Sequence, residues 1–432
     1  MQPKNIHPMN HPFSGIIVRY RRSTPIAGEP AQSTAQTHVG GKDPIAPPAS
    51  DVPTDELHVN LWEIGGEPFL DLGVMIGDWA DCESVQVDLP WSLESRRVSD
   101  LGARLNGEKS IAAIFNEVVH YDGFADRNYA SVCFRRDDGV DFNHFTLLRL
   151  NSTYFHLKEL NLADGTSVTQ LKINLPRPQT NTPNQRVYVR FRIRNVPDSV
   201  YASVFRQKDR NLLSSSTETR IIDFRINVRR GVPDEILTGD SDVHFPHFSK
   251  IHFFLTIDRG QECVFQGHTF KGCRSLVDEE IWNEYVGNDA WLSAKGNKTV
   301  RNYLGYHWTE SYKSSNGSAS DSGRRGIKDL VVLGRFSKTR SSFIYIIRFL
   351  ALGLLFGVAG NALWDVFQPQ SQGDDSLTTA VVDHWKTLRF VGELLFTAWL
   401  LTALSRDTIK AVRVCVWSGL KKVYNHARKA GL

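Results

Sequence analysis

Alternating apolar and polar positions recur from residue 57 onward and predict strands, because side chains of an extended chain point to opposite faces with a period of two. LHVNLWEI (57–64) and SVQVDLPW (84–91) open the series. SVCF (131–134), FTLLRL (145–150), YFHLKELNL (154–162), TQLKINL (169–175), VYVRFRIRN (187–195), RIIDFRINVRR (220–230) and KIHFFLTI (250–257) continue it. Asp164-Gly165, the run Pro176 to Pro183 and Arg230-Gly231 supply turn chemistry between them. A helix is predicted over 108–119, where Ile111, Ile114, Phe115 and Val118 share one face, and a second near 276–293 around Ile281, Trp282 and Tyr285. Many short strands with polar turns predict an α+β domain, mostly antiparallel β, sandwich- or barrel-like.

The pattern changes near residue 340. FIYIIRFLALGLLFGVAGNALW (343–364) carries one charge, Arg348, and is long enough for the roughly 20 apolar residues a bilayer crossing needs. LRFVGELLFTAWLLTAL (388–404) is shorter and holds Arg389 and Glu393, which suits the return limb of a hairpin. After it, Ile409, Val412, Val416, Leu420, Val423 and Ala427 follow helical spacing, with Lys410, Arg413, Trp417, Lys421 and Tyr424 on the adjacent face. Cations and aromatics beside an apolar stripe predict a helix facing anionic headgroups. The expected organisation is therefore a disordered Pro-rich tail (1–54), a β-rich cytosolic domain (55–310, divisible near 140) and a Ser/Gly linker with a basic collar (311–341). A two-helix transmembrane hairpin (342–405) and a basic amphipathic helix (406–432) follow.

Charge sharpens this reading. The net charge of +4 is a sum of opposites. Residues 29–323 carry 31 Lys+Arg against 40 Asp+Glu, whereas the segments flanking the two apolar runs are cationic. The connecting segment 365–383 has four Asp and no Lys or Arg, so the positive-inside rule places both termini in the cytoplasm, at a plasma or inner membrane. The acidic main region also disfavours nucleic acid as a partner. Gly353 and Gly357 offer a small-residue packing face for homo-oligomers, and Glu393 is the candidate pore or proton-sensitive position.

Inside the domain, residues 145–230 hold 15 basic against 6 acidic residues. Alternation places Arg190, Arg192 and Arg194 opposite Val187, Val189, Phe191 and Ile193. Lys172, Arg225 and Arg229 repeat the pattern on two other runs. If these strands adjoin, six cations share one sheet face, suited to an anionic small molecule, lipid headgroups or an acidic protein segment. Pairing with the acidic 29–144 segment is the alternative.

The common linear catalytic motifs are absent. Two clusters have metal-ligand chemistry without the spacing of structural zinc sites. One is Asp240, Asp242, His244 and His247; the other is Cys263, His268 and Cys273, with His252 upstream. No cofactor is specified. The function these features favour is a membrane-anchored sensor or effector that binds an anionic ligand through its β-rich domain. The alternatives are a tethered enzyme with a His/Asp/Cys site in 240–273 and a passive scaffold.

Overall fold

A computed structural model of the chain describes residues 11–22, 54–178, 185–207, 216–238, 240, 242–287, 299–312 and 326–340. It also describes single helical positions between 350 and 392. In chain order the strands are β1 (Ile17–Arg22), β2 (Asp55–Trp62), β3 (Phe69–Ile76), β4 (Cys82–Leu89), β5 (Val98–Asp100), β6 (Val119–Tyr121), β7 (Tyr129–Arg135), β8 (Asp141–Leu148), β9 (Phe155–Asn161) and β10 (Ser167–Asn174). They continue as β11 (Val187–Arg194), β12 (Ala202–Gln207), β13 (Ser216–Ile226), β14 (Val243–His244), β15 (Phe248–Asp258), β16 (Glu262–Gln266), β17 (Phe270–Ser275), β18 (Tyr303–Ser311) and β19 (Leu330–Arg340). The α-helices are α1 (Glu108–Phe115), α2 (Asp234–Thr238) and α3 (Glu279–Val286). The chain divides into two units, Met1–Phe205 with Thr219–Lys338, and Arg206–Glu218 with Thr339–Leu432.

The β-rich expectation holds. A ten-stranded sheet runs β17-β18-β15-β2-β3-β11-β8-β7-β6, with β5 beside β11. A five-stranded sheet runs β14-β1-β4-β10-β9, and a four-stranded one β12-β13-β19-β16. Most pairs are antiparallel; β2 with β15, and β8 with β11, are parallel. Period-two patterning decides which face meets which. Leu57, Val59 and Leu61 of β2, Ile251, Phe253 and Leu255 of β15, and Val187, Val189, Phe191 and Ile193 of β11 enter one core with Val85 and Val87 of β4 and Leu171 and Ile173 of β10. Each such fully buried aliphatic or aromatic side chain contributes about 1.5–3 kcal/mol. This is a sandwich, with a sheet's apolar faces packed together and its other faces left to separate fates.

The opposite face of the large sheet is polar in part and is roofed by a second cluster. Trp62, Phe69, Met75 and Tyr188 of the sheet pack there with Ile111 and Ile114 of α1 and Trp282, Tyr285 and Val286 of α3. Helix α1 stops at Asn116, which takes a left-handed φ of 58°. Asparagine tolerates that conformation at a helix C-terminus better than most residues.

Two expectations need correction. The segment read as a tail contributes β1, whose Ile17, Val18 and Tyr20 are buried and whose register runs from Ile17–Asp88 to Arg22–Cys82. Proline content averaged over 54 residues hid a six-residue strand former. Arg19 is 0% exposed and donates from Nε and Nη2 to Asp88 Oδ2 at 3.0 and 2.7 Å.

The two-helix transmembrane hairpin, and with it the two-span membrane placement, is also corrected. Among the described residues no helix is long and apolar enough to cross a membrane. Helices α1, α2 and α3 have eight, five and eight residues. Hydropathy counted over a run measures its affinity for lipid and does not by itself establish a spanning helix. Of the two runs only single positions are described, Gly353, Gly357, Gly360 and Gly392 among them, and the rest of 342–405, with Arg389 and Glu393, lies outside the described residues. Gly353 and Gly357 are helical and exposed, with open space where a Cβ would stand. Glu393 and the predicted interfacial residues Lys410, Arg413, Trp417, Lys421 and Tyr424 lie outside the described residues.

Candidate functional site

Register brings together residues that lie far apart in the chain. The parallel pairing of β2 and β15 sets Glu56 beside Lys250 and His58 beside His252. On the other side of β2, His58 faces Gly73 of β3, and Gly73 faces Arg190 of β11. One row across the sheet therefore reads Arg190, Gly73, His58, His252. His307 of β18 pairs with Phe254, two residues beyond His252, and so sits diagonally from it. These positions share the face opposite the main core, by the period of two.

Where α1 stops, that face opens as a cleft of about 450 Å³. Its floor is Glu56, His58, His252 and His307; Lys250, Lys271 and Arg274 also line it, as do Phe115, Asn116 and Glu117 at the end of α1. His252 Nδ1 lies 3.0 Å from His307 Nε2. His58 Nε2 lies 3.5 Å from Glu56 Oε2, and the His58 and His252 ring centroids are 5.1 Å apart. The His307 ring stacks on Phe254 at 4.2 Å. Arg186 Nη2 stands 3.8 Å from the other Glu56 oxygen, Oε1.

Behind the histidines lies a buried polar chain. Arg190 donates from Nη1 to Tyr188 Oη at 2.8 Å, from Nε to Tyr285 Oη at 2.6 Å and from Nη2 to Asn60 Oδ1 at 3.2 Å. Tyr188 Oη is in turn 3.2 Å from His58 Nδ1. Glycine at 73 makes this passage. A Cβ there would fall 1.9 Å from Tyr188 Oη and 2.9 Å from Arg190 Nη1. Gly73→Ala is expected to cost about 1–3 kcal/mol by overpacking and to displace Tyr188, which thermal unfolding and near-ultraviolet circular dichroism would report. A variant as stable as the parent would contradict this account of the row.

Burial dominates the electrostatics. It lowers His58, and it pulls His252 down to about 3 and His307 to about 4, with neighbouring His58, Lys250, Arg274 and Lys271 adding to the effect. All three imidazoles are then neutral near pH 7. Burial pushes Glu56 up, but His58, Lys250 and Arg186 override it and hold the carboxyl at about 2. The floor thus carries an ionised carboxylate beside neutral imidazoles, which is ligand chemistry for a metal ion. Among the described residues, Glu56, His58 and His252 form the one such cluster, their ligand atoms all within 4.8 Å of one another.

The residues singled out in the sequence are distributed otherwise. Arg190 and Arg192 are 0% exposed. Arg192 donates to both carboxylate oxygens of Asp71, at 2.7 and 3.0 Å, and to the Val286 carbonyl at 2.6 Å. Arg194 is half-buried at the end of β11. Lys172 belongs to the five-stranded sheet, Arg225 to the four-stranded one, where it pairs with Asp223 at 2.9 Å, and Arg229 lies over the Phe245 ring at 4.0 Å. The six cations therefore share no face. Asp240 and Asp242 pair with Arg21 at 2.5 and 3.1 Å, and His244 and His247 are exposed, so that set gathers no metal-binding geometry. Of the Cys/His set, His252 enters the floor and Cys273 lines the cleft, whereas Cys263 lies on β16. Glu56, His58 and His307 were missed. Their one local signal is alternation, with Glu56 and His58 two apart on a strand whose residues other than Glu56 are buried.

No protein-family model matches the chain, and no curated protein matches it.

Proposed function

We propose that this domain captures a small anionic ligand, phosphate- or carboxylate-bearing, in the cleft bounded by β2, β15, β17 and β18. The supporting observation is a contrast between two kinds of cation. The guanidiniums of Arg19 and Arg192 face carboxylates inside the fold, so neither is free for a ligand. Lys250, Lys271 and Arg274 instead converge on an open cleft, and none of them has a carboxylate within ion-pair distance among the described residues. Among the described residues Arg274 donates to the Ala113 carbonyl at 3.3 Å and Asn116 Oδ1 at 3.5 Å. Of the two acids lining the cleft, Glu56 is shared by His58 and Arg186, which leaves Glu117 against three cations. Charge-assisted hydrogen bonds from such a rim give anion affinity, and the half-enclosed walls concentrate the field.

Titration calorimetry of the full chain with inorganic pyrophosphate, in a chelating buffer, tests this reading. Lys271→Glu and Lys250→Glu alter exposed side chains and are expected to leave the fold intact. Each is expected to weaken binding by about tenfold or more, equivalent to about 1.4 kcal/mol. Lys172→Glu, on the other sheet, leaves it unchanged. Equal affinity in Lys271→Glu and the parent would falsify the proposal.

A further inference from the structure

We infer that Glu56, His58 and His252 form a binding site for a divalent transition metal, for which Zn²⁺ is the reference ion, opening onto the same cleft. Two imidazoles and one carboxylate are the donor set of catalytic zinc and non-haem iron centres, in contrast to the all-oxygen sets of Ca²⁺ and Mg²⁺. The three ligand atoms lie within 4.8 Å of one another. Closing on an ion at bond lengths of about 2.0–2.2 Å would draw together ligand atoms carried by β2 and β15, which are hydrogen-bonded neighbours.

The second observation is the support behind each histidine. Metal-bound histidines almost always donate their other ring N–H to a fixed acceptor, which sets tautomer and orientation. His252 has that partner in His307 Nε2, 3.0 Å from its Nδ1, which leaves its Nε2 for another bond. His58 has it in Tyr188 Oη, 3.2 Å from Nδ1, with Nε2 turned toward Glu56. Tyr188 is held by Arg190, so the buried arginine orients a ligand it does not touch. Arg186 engages Glu56 Oε1 and leaves Oε2, the oxygen nearest His58, for the ion. Buried histidines that only fill space need no such arrangement, and a carboxylate among them adds desolvation cost without packing gain.

Three protein ligands would leave coordination positions for water or an anion on an ion that shares its cleft with Lys250, Lys271 and Arg274. A bound ion there supplies Lewis acidity, and the rim cations hold an anion against it. The site goes beyond the anion reading and does not depend on it, because pyrophosphate binding is read in chelator and metal binding without an anion.

The test uses the full chain stripped with chelator and returned to chelator-free buffer. Titration with Zn²⁺ should give one ion per chain, and Co²⁺ should give visible absorption bands of a low-coordinate nitrogen/oxygen site. His252→Ala and Glu56→Gln should each weaken Zn²⁺ binding at least 100-fold, while His307→Ala, which removes only the orienting partner, should lose roughly 10–100-fold. His247→Ala, outside the cleft, should bind as the parent does. Circular dichroism checks folding; if His252→Ala is unfolded, Glu56→Gln with its near-isosteric side chain decides. The inference is overturned if the folded parent binds no stoichiometric Zn²⁺, or binds it with affinity indifferent to Glu56→Gln and His252→Ala.

Discussion

Arg192→Met lowers the unfolding free energy by about 3–5 kcal/mol and leaves pyrophosphate affinity intact in the folded fraction. Arg192 is fully buried, and both its carboxylate bonds go to Asp71, which is 0% exposed. Its third bond, at 2.6 Å, satisfies the carbonyl of Val286 at the C-terminus of α3. The guanidinium also lies 4.2 Å from the centre of the Phe69 ring. Removing it strands a carboxylate in a dry interior with one remaining donor among the described residues, Tyr285 Oη at 2.9 Å, and orphans a helix-terminal carbonyl. A lone buried charge is far costlier than an absent pair. Arg192→Met combined with Asp71→Leu should therefore recover at least half of the loss, although each change alone is severe. Denaturant unfolding of the three variants measures this. If Arg192→Met kept parental stability and lost the anion, the arginine ladder would be the ligand site after all.

That comparison shows what a period of two can and cannot say. Alternation in VYVRFRIRN divides Val187, Val189, Phe191 and Ile193 from Arg190, Arg192 and Arg194, and β11 is built that way. It carries no information on what covers the arginine face. The cover is α3, whose Tyr285 both accepts from Arg190 and donates to Asp71. The predicted helix over 276–293 encloses α3, yet nothing local to it names β11 as its partner. Strand β3 escaped notice for a related reason: FLDLGVMI is buried throughout, and Asp71 and Gly73 interrupt its apolar run. Those same two residues are the counter-ion of Arg192 and the gap that admits Tyr188.

The cleft was less legible still. His58, His252 and His307 come from three strands joined by long-range pairing, so no spacing rule for metal ligands applies to them. Sequence patterns favour ligands that are close in the chain, such as the Asp240 to His247 group, and this fold turns those acids toward Arg21. The cationic rim was hidden by averaging. Residues 145–230 hold the excess of basic charge, but Lys250, Lys271 and Arg274 lie after it, and what distinguishes them is the lack of a carboxylate within ion-pair distance among the described residues rather than local density. Charge counts predict fields, and only tertiary structure tells which charges stand in an ion pair.

Acid weakens the metal-free protein earlier than its carboxylates require. The His252 and His307 pKa values are lowered to about 3 and about 4, first by burial and then by the charges around them. The charges that lower them come from several elements, His58 on β2, Lys250 on β15, His307 on β18, and Lys271 and Arg274 on β17, whereas the Glu56 carboxylate on β2 acts the other way on His252. An unfolded histidine titrates near 6.5. Between that value and the folded ones the unfolded chain binds more protons, so stability is complete above about pH 6.5 and falls as pH drops toward 4. Both rings are partly exposed and share one hydrogen bond, so the two shifts do not add in full. The combined loss by pH 4.5 is about 2–4 kcal/mol. Asp100 acts in the opposite sense, because burial raises it to about 6 and its contribution improves as acid neutralises it. The histidine contribution is therefore isolated by comparing the parent with His252→Gln and His307→Gln in chelator, using urea unfolding at several pH values. The variants should be flatter between pH 6.5 and 4.5 and should close on the parent, or exceed it, at the acid end. Parallel curves would mean that these imidazoles titrate in the folded state as they do in the unfolded chain, and that burial does not hold them neutral in acid.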